Sequence, residues 1–298
     1  MLILALMKSF SERLNQRIKD TNSRVCLGID PRPKEHPFTH PDTYQNDPAQ
    51  VARAVVTYFR MILESTQDLV ACYKPQSAFF EAMGIPGMIA LAQLIADIKS
   101  LGIPVILDAK RGDMGSTAEA YADAYLGSGV MSSDALTVNP YLGMDGLEPF
   151  ILKAQQNQRG LFVLVKTSNP GSEDFQALET PEGMYVYDHV AYQLANRSKS
   201  LIGKDGFSPI GAVIGATHPE ELENLREILP MSLFLVPGYG AQGGTAEDVI
   251  GAFKNGLGAV VSSSRALTYI TKENDYAEQA RAATLAMRNN INQALNLE

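Results

Sequence analysis

The sequence predicts an α/β fold and, within that class, a single-domain (β/α)8 TIM barrel with an extra helix at the N-terminus. Three observations lead there. Short β-rich runs recur about eight times along the 298 residues, the number a closed barrel needs. The runs are continuously apolar rather than alternating, as strands buried on both faces of a parallel sheet must be. Between them stand segments with apolar residues at three-to-four spacing, and regular strand–helix alternation selects an α/β architecture.

Taken in order, "SFSERLNQRIKD" (9–20) is the extra leading helix. The strands are "VCLGI" (25–29), "LVACY" (69–73), "PVILD" (104–108), "ALTVN" (135–139), "LFVLV" (161–165), "GAVIGA" (211–216), "LFLVP" (233–237) and "GAVVSS" (258–263). Helices are expected over 48–66, 87–102, 117–129, 145–157, 185–199, 219–229 and 245–256, with a last one over about 274–295. Thr217 and Thr245 precede acidic first turns, and Gly102 and Gly256 lie just past helix ends, as start and stop signals should. With no linker or charge block to divide it, the chain reads as one domain over 1–298. The opening "MLILALM" is too short for a membrane span and lacks the flanks of a signal peptide. Met7 is read as the natural start and residues 1–6 as a disordered or non-native extension. The two long intervals, 31–50 and 168–184, both follow strand C-termini and are candidate walls or lids of a site.

Composition bounds the partners. A net charge of -8 and a pI near 5.1 argue against nucleic acid or a membrane surface, which need basic stripes. An anionic ligand must then be met by a few local cations. Cys26 and Cys72, the two cysteines, each sit in an apolar run and read as reduced core thiols of a cytoplasmic protein.

Barrel chemistry sits at strand C-terminal ends. There the sequence places Asp30, Lys74, Asp108 with Lys110, Asn139, Lys166 to Ser168, Pro237, and Ser264 with Arg265. The stretch "LDAKRGDMGSTAEAYA" (107–122) crowds Asp108, Lys110, Arg111 and Asp113 directly after an apolar run. Alternation along a strand puts Asp108 and Lys110 on one side, and Gly112 is the expected point where the chain turns out of the strand. An ammonium held between carboxylates stays protonated, so Lys110 is expected as a proton donor rather than a base. The plain alternative is a solvated, salt-bridged turn capping a helix; charged company on neighbouring strands weighs against it.

A second stretch, "VPGYGAQGGTAEDV" (236–249), spells G-x-G-x-x-G with Gly238, Gly240 and Gly243. As a dinucleotide fingerprint it is weak, because the next strand ends in "SSSR" and not in an acidic residue that would hold a ribose. A barrel phosphate site fits better, built from the loops after the seventh and eighth strands with backbone N–H groups and a helix N-terminus. Arg265 would supply the fixed charge and Gln242 a neutral donor.

Together with "GIDPRP", "CYKPQSAFFE" and "VKTSNPG", these stretches make the chain resemble the orotidine 5'-phosphate decarboxylase family, in its longer bacterial type, from about residue 10 to 290. The resemblance implies cofactor-independent conversion of orotidine 5'-phosphate to UMP, the last step of de novo pyrimidine nucleotide biosynthesis, by a homodimer with shared active sites. It implies Asp108 and Lys110 in the catalytic array, and Asp113 and Thr117 reaching into the neighbouring subunit's site. Asp30 and Lys74 would contact the ribose, Ser168 the pyrimidine, and Gln242 with Arg265 the phosphate; Pro237 and Ser264 lie on the same phosphate side. Several members carry glycine where Ser264 stands. Two alternatives stay open: a Mg²⁺-dependent pentulose- or hexulose-phosphate decarboxylase or aldolase, and a non-catalytic phosphate-sugar binding barrel. The first would want a further carboxylate ligand at the second or third strand end, where the sequence offers Lys74 and the array itself.

Overall fold

Each apolar run becomes a strand: β1 (Val25–Ile29), β2 (Cys72–Pro75), β3 (Ile106–Arg111), β4 (Ala135–Val138), β5 (Gly160–Lys166), β6 (Ser208–Ile214), β7 (Ser232–Pro237) and β8 (Ala259–Ser263). They lie in the order β2-β1-β8-β7-β6-β5-β4-β3, and parallel bridges from Tyr73 to Val105 and from Gln76 to Asp108 join β2 to β3 and close the ring. The expected (β/α)8 barrel is thus observed. The structure, a computed structural model, describes residues 8–216, 219–240 and 243–297. Residues 1–6, Thr217 and Gln242 lie outside the described residues.

Alternation along each strand sorts the core into two layers. Cys26, Cys72, Ile106, Ala135, Phe162 and Val260 point into the barrel. Leu27, Tyr73, Leu107, Leu136, Val163 and Val261 face the surrounding helices. Both faces are dry, which is why the strands read as unbroken apolar runs.

The N-terminal end of the barrel is closed by α1 (Phe10–Thr21). Ser9 accepts the Glu12 N–H and the Glu12 carboxylate accepts the Ser9 N–H, a reciprocal cap that fixes where the helix starts. Phe10, Leu14 and Ile18, spaced by four, are fully buried against the inward residues. Burial of this kind stabilises by about 1.5–3 kcal/mol per side chain.

The ring of helices is α2 (Pro48–Thr66), α3 (Ser77–Glu81), α4 (Gly84–Ser100), α5 (Gly115–Leu126), α6 (Met144–Gln156), α7 (Val186–Ser198), α8 (Pro219–Ile228), α9 (Arg265–Thr268) and α10 (Tyr276–Ala294). One expected helix is corrected: within 245–256 the chain forms only a 3-10 turn, Glu247–Ala252. The Ala252 carbonyl is taken by the Arg226 guanidinium, at 3.1 and 2.6 Å, and Asn255 and Gly256 then turn left-handed, at φ 52° and 72°. The helix has no room to propagate. Among the described residues no helix is long and apolar enough to cross a membrane.

Candidate active site

The inward positions above Cys72, Ile106 and Ala135 are Lys74, Asp108 and Thr137, so three adjacent strands bring polar groups to one mouth. Asp108 is buried and Lys74 equally so, each 6% exposed. The carboxylate is shared: Lys74 Nζ lies 3.0 Å from its Oδ2 and Lys110 Nζ 2.6 Å from its Oδ1. Burial pushes the Asp108 carboxyl up, but the Lys74 and Lys110 ammoniums outweigh it and hold it well below the usual carboxylate range. Burial likewise works against the Lys74 ammonium, yet Asp108 and Asp30 raise it above the ordinary lysine value. Both groups are therefore ionised at neutral pH. Just after β1, Asp30 Oδ1 is buried and accepts no hydrogen bond from a described residue, an uncommon state for a carboxylate oxygen.

The end of β3 is not the regular strand that alternation assumes. Its pairing with β4 shifts between Leu107 and Arg111, a bulge, and Lys110 sits at φ 48°, in the left-handed region. For a residue with a side chain that costs about 1–2 kcal/mol. The left-handed residue is thus Lys110, inside β3; the chain leaves the strand at Gly112 as expected, and there it closely approaches the Asn139 carbonyl, 3.0 Å from where a Cβ would stand. Arg111 pins the distorted end. Its guanidinium donates to the Ala109 carbonyl at 3.1 Å, pairs with Glu81, and lies over the Tyr121 and Tyr125 rings. Lys110 remains 45% exposed at its side chain and ready to meet a ligand.

Among the described residues of one chain Lys110 is held by Asp108 alone and not between two carboxylates. Asp113 Oδ1 instead accepts the Met114 N–H at 2.8 Å. Asp113 and the exposed Thr117 frame the start of α5 beside exposed Met114. Across the mouth, Ser168 follows β5 and packs against Gly215. Pro237 closes β7, and Gly238, Gly240 and Gly243 all take positive φ as the loop doubles back. Arg265 opens α9 after β8, exposed, its guanidinium without a hydrogen bond or ion pair to a described residue. The helix start expected there is present but short: α9 is a single turn, and the segment after β7 is 3-10. Ser264 fits because Gly28 has no side chain; a Cβ on Gly28 would come 2.6 Å from Ser264 Cβ.

A family model described as "Orotidine 5'-phosphate decarboxylase / HUMPS family" matches residues 23–283. The chain belongs to this family. The orotidine 5'-phosphate decarboxylase of Rhodopirellula baltica is 44% identical, over 96% of this chain and 99% of its own length. That of Deinococcus radiodurans is 41% identical, over 97% and 99%. Among solved structures, the Leishmania donovani OMP decarboxylase superposes with a TM-score of 0.77 at 34% identity, covering 97% of this chain and all of that one.

Two buried polar residues of this decarboxylase-family barrel were given no site role from the sequence. Thr137, 1% exposed, sits beside Asp108; its signal was its inward parity two residues before the strand end. Lys166 is 1% exposed, its ammonium 2.6 Å from a Glu173 carboxylate oxygen and over the Tyr187 ring. It was noted as a strand-end charge, but its partner in the following loop carried no pattern.

Proposed function

We propose that this chain decarboxylates orotidine 5'-phosphate to UMP without a cofactor. One observation carries the reading: a buried, ionised Asp108 with an ammonium on each oxygen, one of them the exposed Lys110, at the mouth of the barrel. The order of strands supports the fit of an elongated nucleotide. Arg265 and the glycine loop stand on β8 and β7, Asp30 and Lys74 next at the ends of β1 and β2, the array on β3, and Ser168 opposite on β5. Phosphate, ribose, reacting carbon and pyrimidine follow that sequence. The unpartnered Asp30 Oδ1 suits a ribose hydroxyl, which would donate to it.

In the reaction the C6–carboxylate bond breaks, CO2 leaves, and the electron pair stays on C6 in an orbital the ring cannot delocalise. A fixed ammonium beside that carbon stabilises the charge as it develops. Lys110 then gives its proton to C6 and is reprotonated by solvent. Asp108 holds Lys110 and faces the departing carboxylate. Lys74 at the end of β2, with only the array itself at the end of β3, disfavours the metal-using alternative, which would want a further carboxylate ligand at one of these ends.

Asp113 and Thr117 serve the partner's site in a homodimer. The surface around them supports this: Met114, Tyr141 and Leu142, in the segments that follow β3 and β4, are 58%, 83% and 43% exposed, apolar side chains suited to a second copy. Two free, buried thiols, Cys26 and Cys72, suit a reducing cytoplasm. The test is loss of orotidine 5'-phosphate absorbance on adding the protein, with and without EDTA. Turnover unaffected by EDTA is expected; no turnover, or turnover abolished by EDTA, contradicts the reading.

A further inference from the structure

We propose that Thr137 is a positioning residue for this reaction, fixing through one hydroxyl both the Asp108 carboxylate and the left-handed turn that aims Lys110. The proposal rests on the decarboxylase reading above. Thr137 Oγ1 accepts the Ala109 N–H at 3.0 Å and the Lys110 N–H at 2.9 Å, and donates to Asp108 Oδ1 at 2.9 Å. A hydroxyl has two lone pairs and one proton. With both lone pairs engaged by backbone N–H groups, the proton goes to the carboxylate, so all three directions are fixed.

These two N–H groups are the ones the bulge leaves without strand partners, since regular β3–β4 pairing stops at Leu107 and resumes at Arg111. A buried backbone donor without an acceptor is costly, and the Thr137 hydroxyl answers two of them at once. The bulge and the positive φ of Lys110 are therefore held by a side chain on the neighbouring strand. The same hydroxyl shares Asp108 Oδ1 with Lys110 Nζ, which lies 2.6 Å away. Backbone direction at Lys110 and placement of its counter-ion thus have one common support. The Lys110 side chain, 45% exposed, has no other ion pair among the described residues to aim it.

Valine at 137 keeps the shape, the β-branch and the burial while removing the hydroxyl; serine keeps the hydroxyl. In steady-state assays Thr137→Val is expected to lower kcat by about 10- to 100-fold, the usual scale for a small misplacement of a reacting group. KM and UMP affinity should stay near wild type, while Tm should fall, because two buried N–H groups lose their acceptor. Thr137→Ser should restore kcat to within about threefold of wild type, since the three hydrogen bonds are kept. A kcat for Thr137→Val within about twofold of wild type, or equal losses in the two variants, overturns the proposal. If Thr137→Val does not fold, Thr137→Ala against Thr137→Ser decides, the pair differing only in the hydroxyl: a higher kcat for serine supports the role and equal values refute it. Failure of the decarboxylase reading itself would show differently, as a wild-type protein without turnover.

Discussion

A carboxylate 6% exposed survives in a barrel interior because two ammoniums compensate its desolvation. That balance has a pH signature. The folded-state pKa of Asp108 is depressed, so its contribution to stability is complete above the ordinary carboxylate value of about 4 and fades as pH falls toward the lower folded value. The stability difference between wild type and Asp108→Asn should therefore be constant from pH 5 to 8 and shrink below about pH 4, as chemical denaturation at each pH will read. A difference that grows on acidification contradicts the ion-pair account. Arg265 differs, being exposed, its guanidinium without a described partner. Arg265→Ala should lower kcat/KM by about 2–3 kcal/mol, the worth of a charge-assisted phosphate contact, while leaving the phosphate-free nucleoside, already a poor substrate, unaffected. Equal losses for both substrates would put Arg265 elsewhere.

Elements were legible where pattern and packing agree. The apolar runs gave eight strands because every one is buried on both faces, and α1, expected over 9–20, is held where the capping box and the buried Phe10, Leu14 and Ile18 fix it. The failures are local and physical. The bulge in β3 depends on a hydroxyl on the next strand, and the 3-10 turn after β7 depends on a guanidinium from α8; neither long-range contact leaves a periodicity. Asp108 and Lys110 were found together although the alternation that suggested it breaks between them. The loop after β5 carries a prediction of the same kind. Lys166, 1% exposed, holds its 3-10 turn Pro170–Asp174 through Glu173 and Ser172, at 2.6 and 3.4 Å. Lys166→Met should loosen the segment that carries Ser168 and raise KM by about tenfold, equivalent to roughly 1.5 kcal/mol for a charged hydrogen bond. Stability should change little, since removing a buried charge offsets the lost contact; an unchanged KM would mean the loop is held by other contacts.

At the scale of the whole molecule, the chain carries a net charge of -8 yet gathers cations at one barrel mouth, so recognition of a phosphorylated anion is local. The assembly follows from Asp113, which does not reach its own chain's Lys110 but turns back to the Met114 N–H. If it completes the partner's site, Lys110→Ala and Asp113→Ala proteins, each inactive alone, complement each other when subunits exchange. Random pairing makes about half the dimers mixed, with one intact site in two, so activity should recover to about a quarter of wild type. Verified exchange with no recovery would return Asp113 to its own chain and leave the Asp108–Lys110 pair untouched.

The claim on which the rest depends is that the Lys110 ammonium delivers the proton to C6. Decarboxylation of orotidine 5'-phosphate in D2O by wild type and by Lys110→Ala, followed by NMR of the UMP formed, tests it most directly. Wild type should turn over and place deuterium at C6, while Lys110→Ala, still folded and still binding UMP, should give no product above the uncatalysed background. Turnover by Lys110→Ala at the wild-type rate would contradict the account.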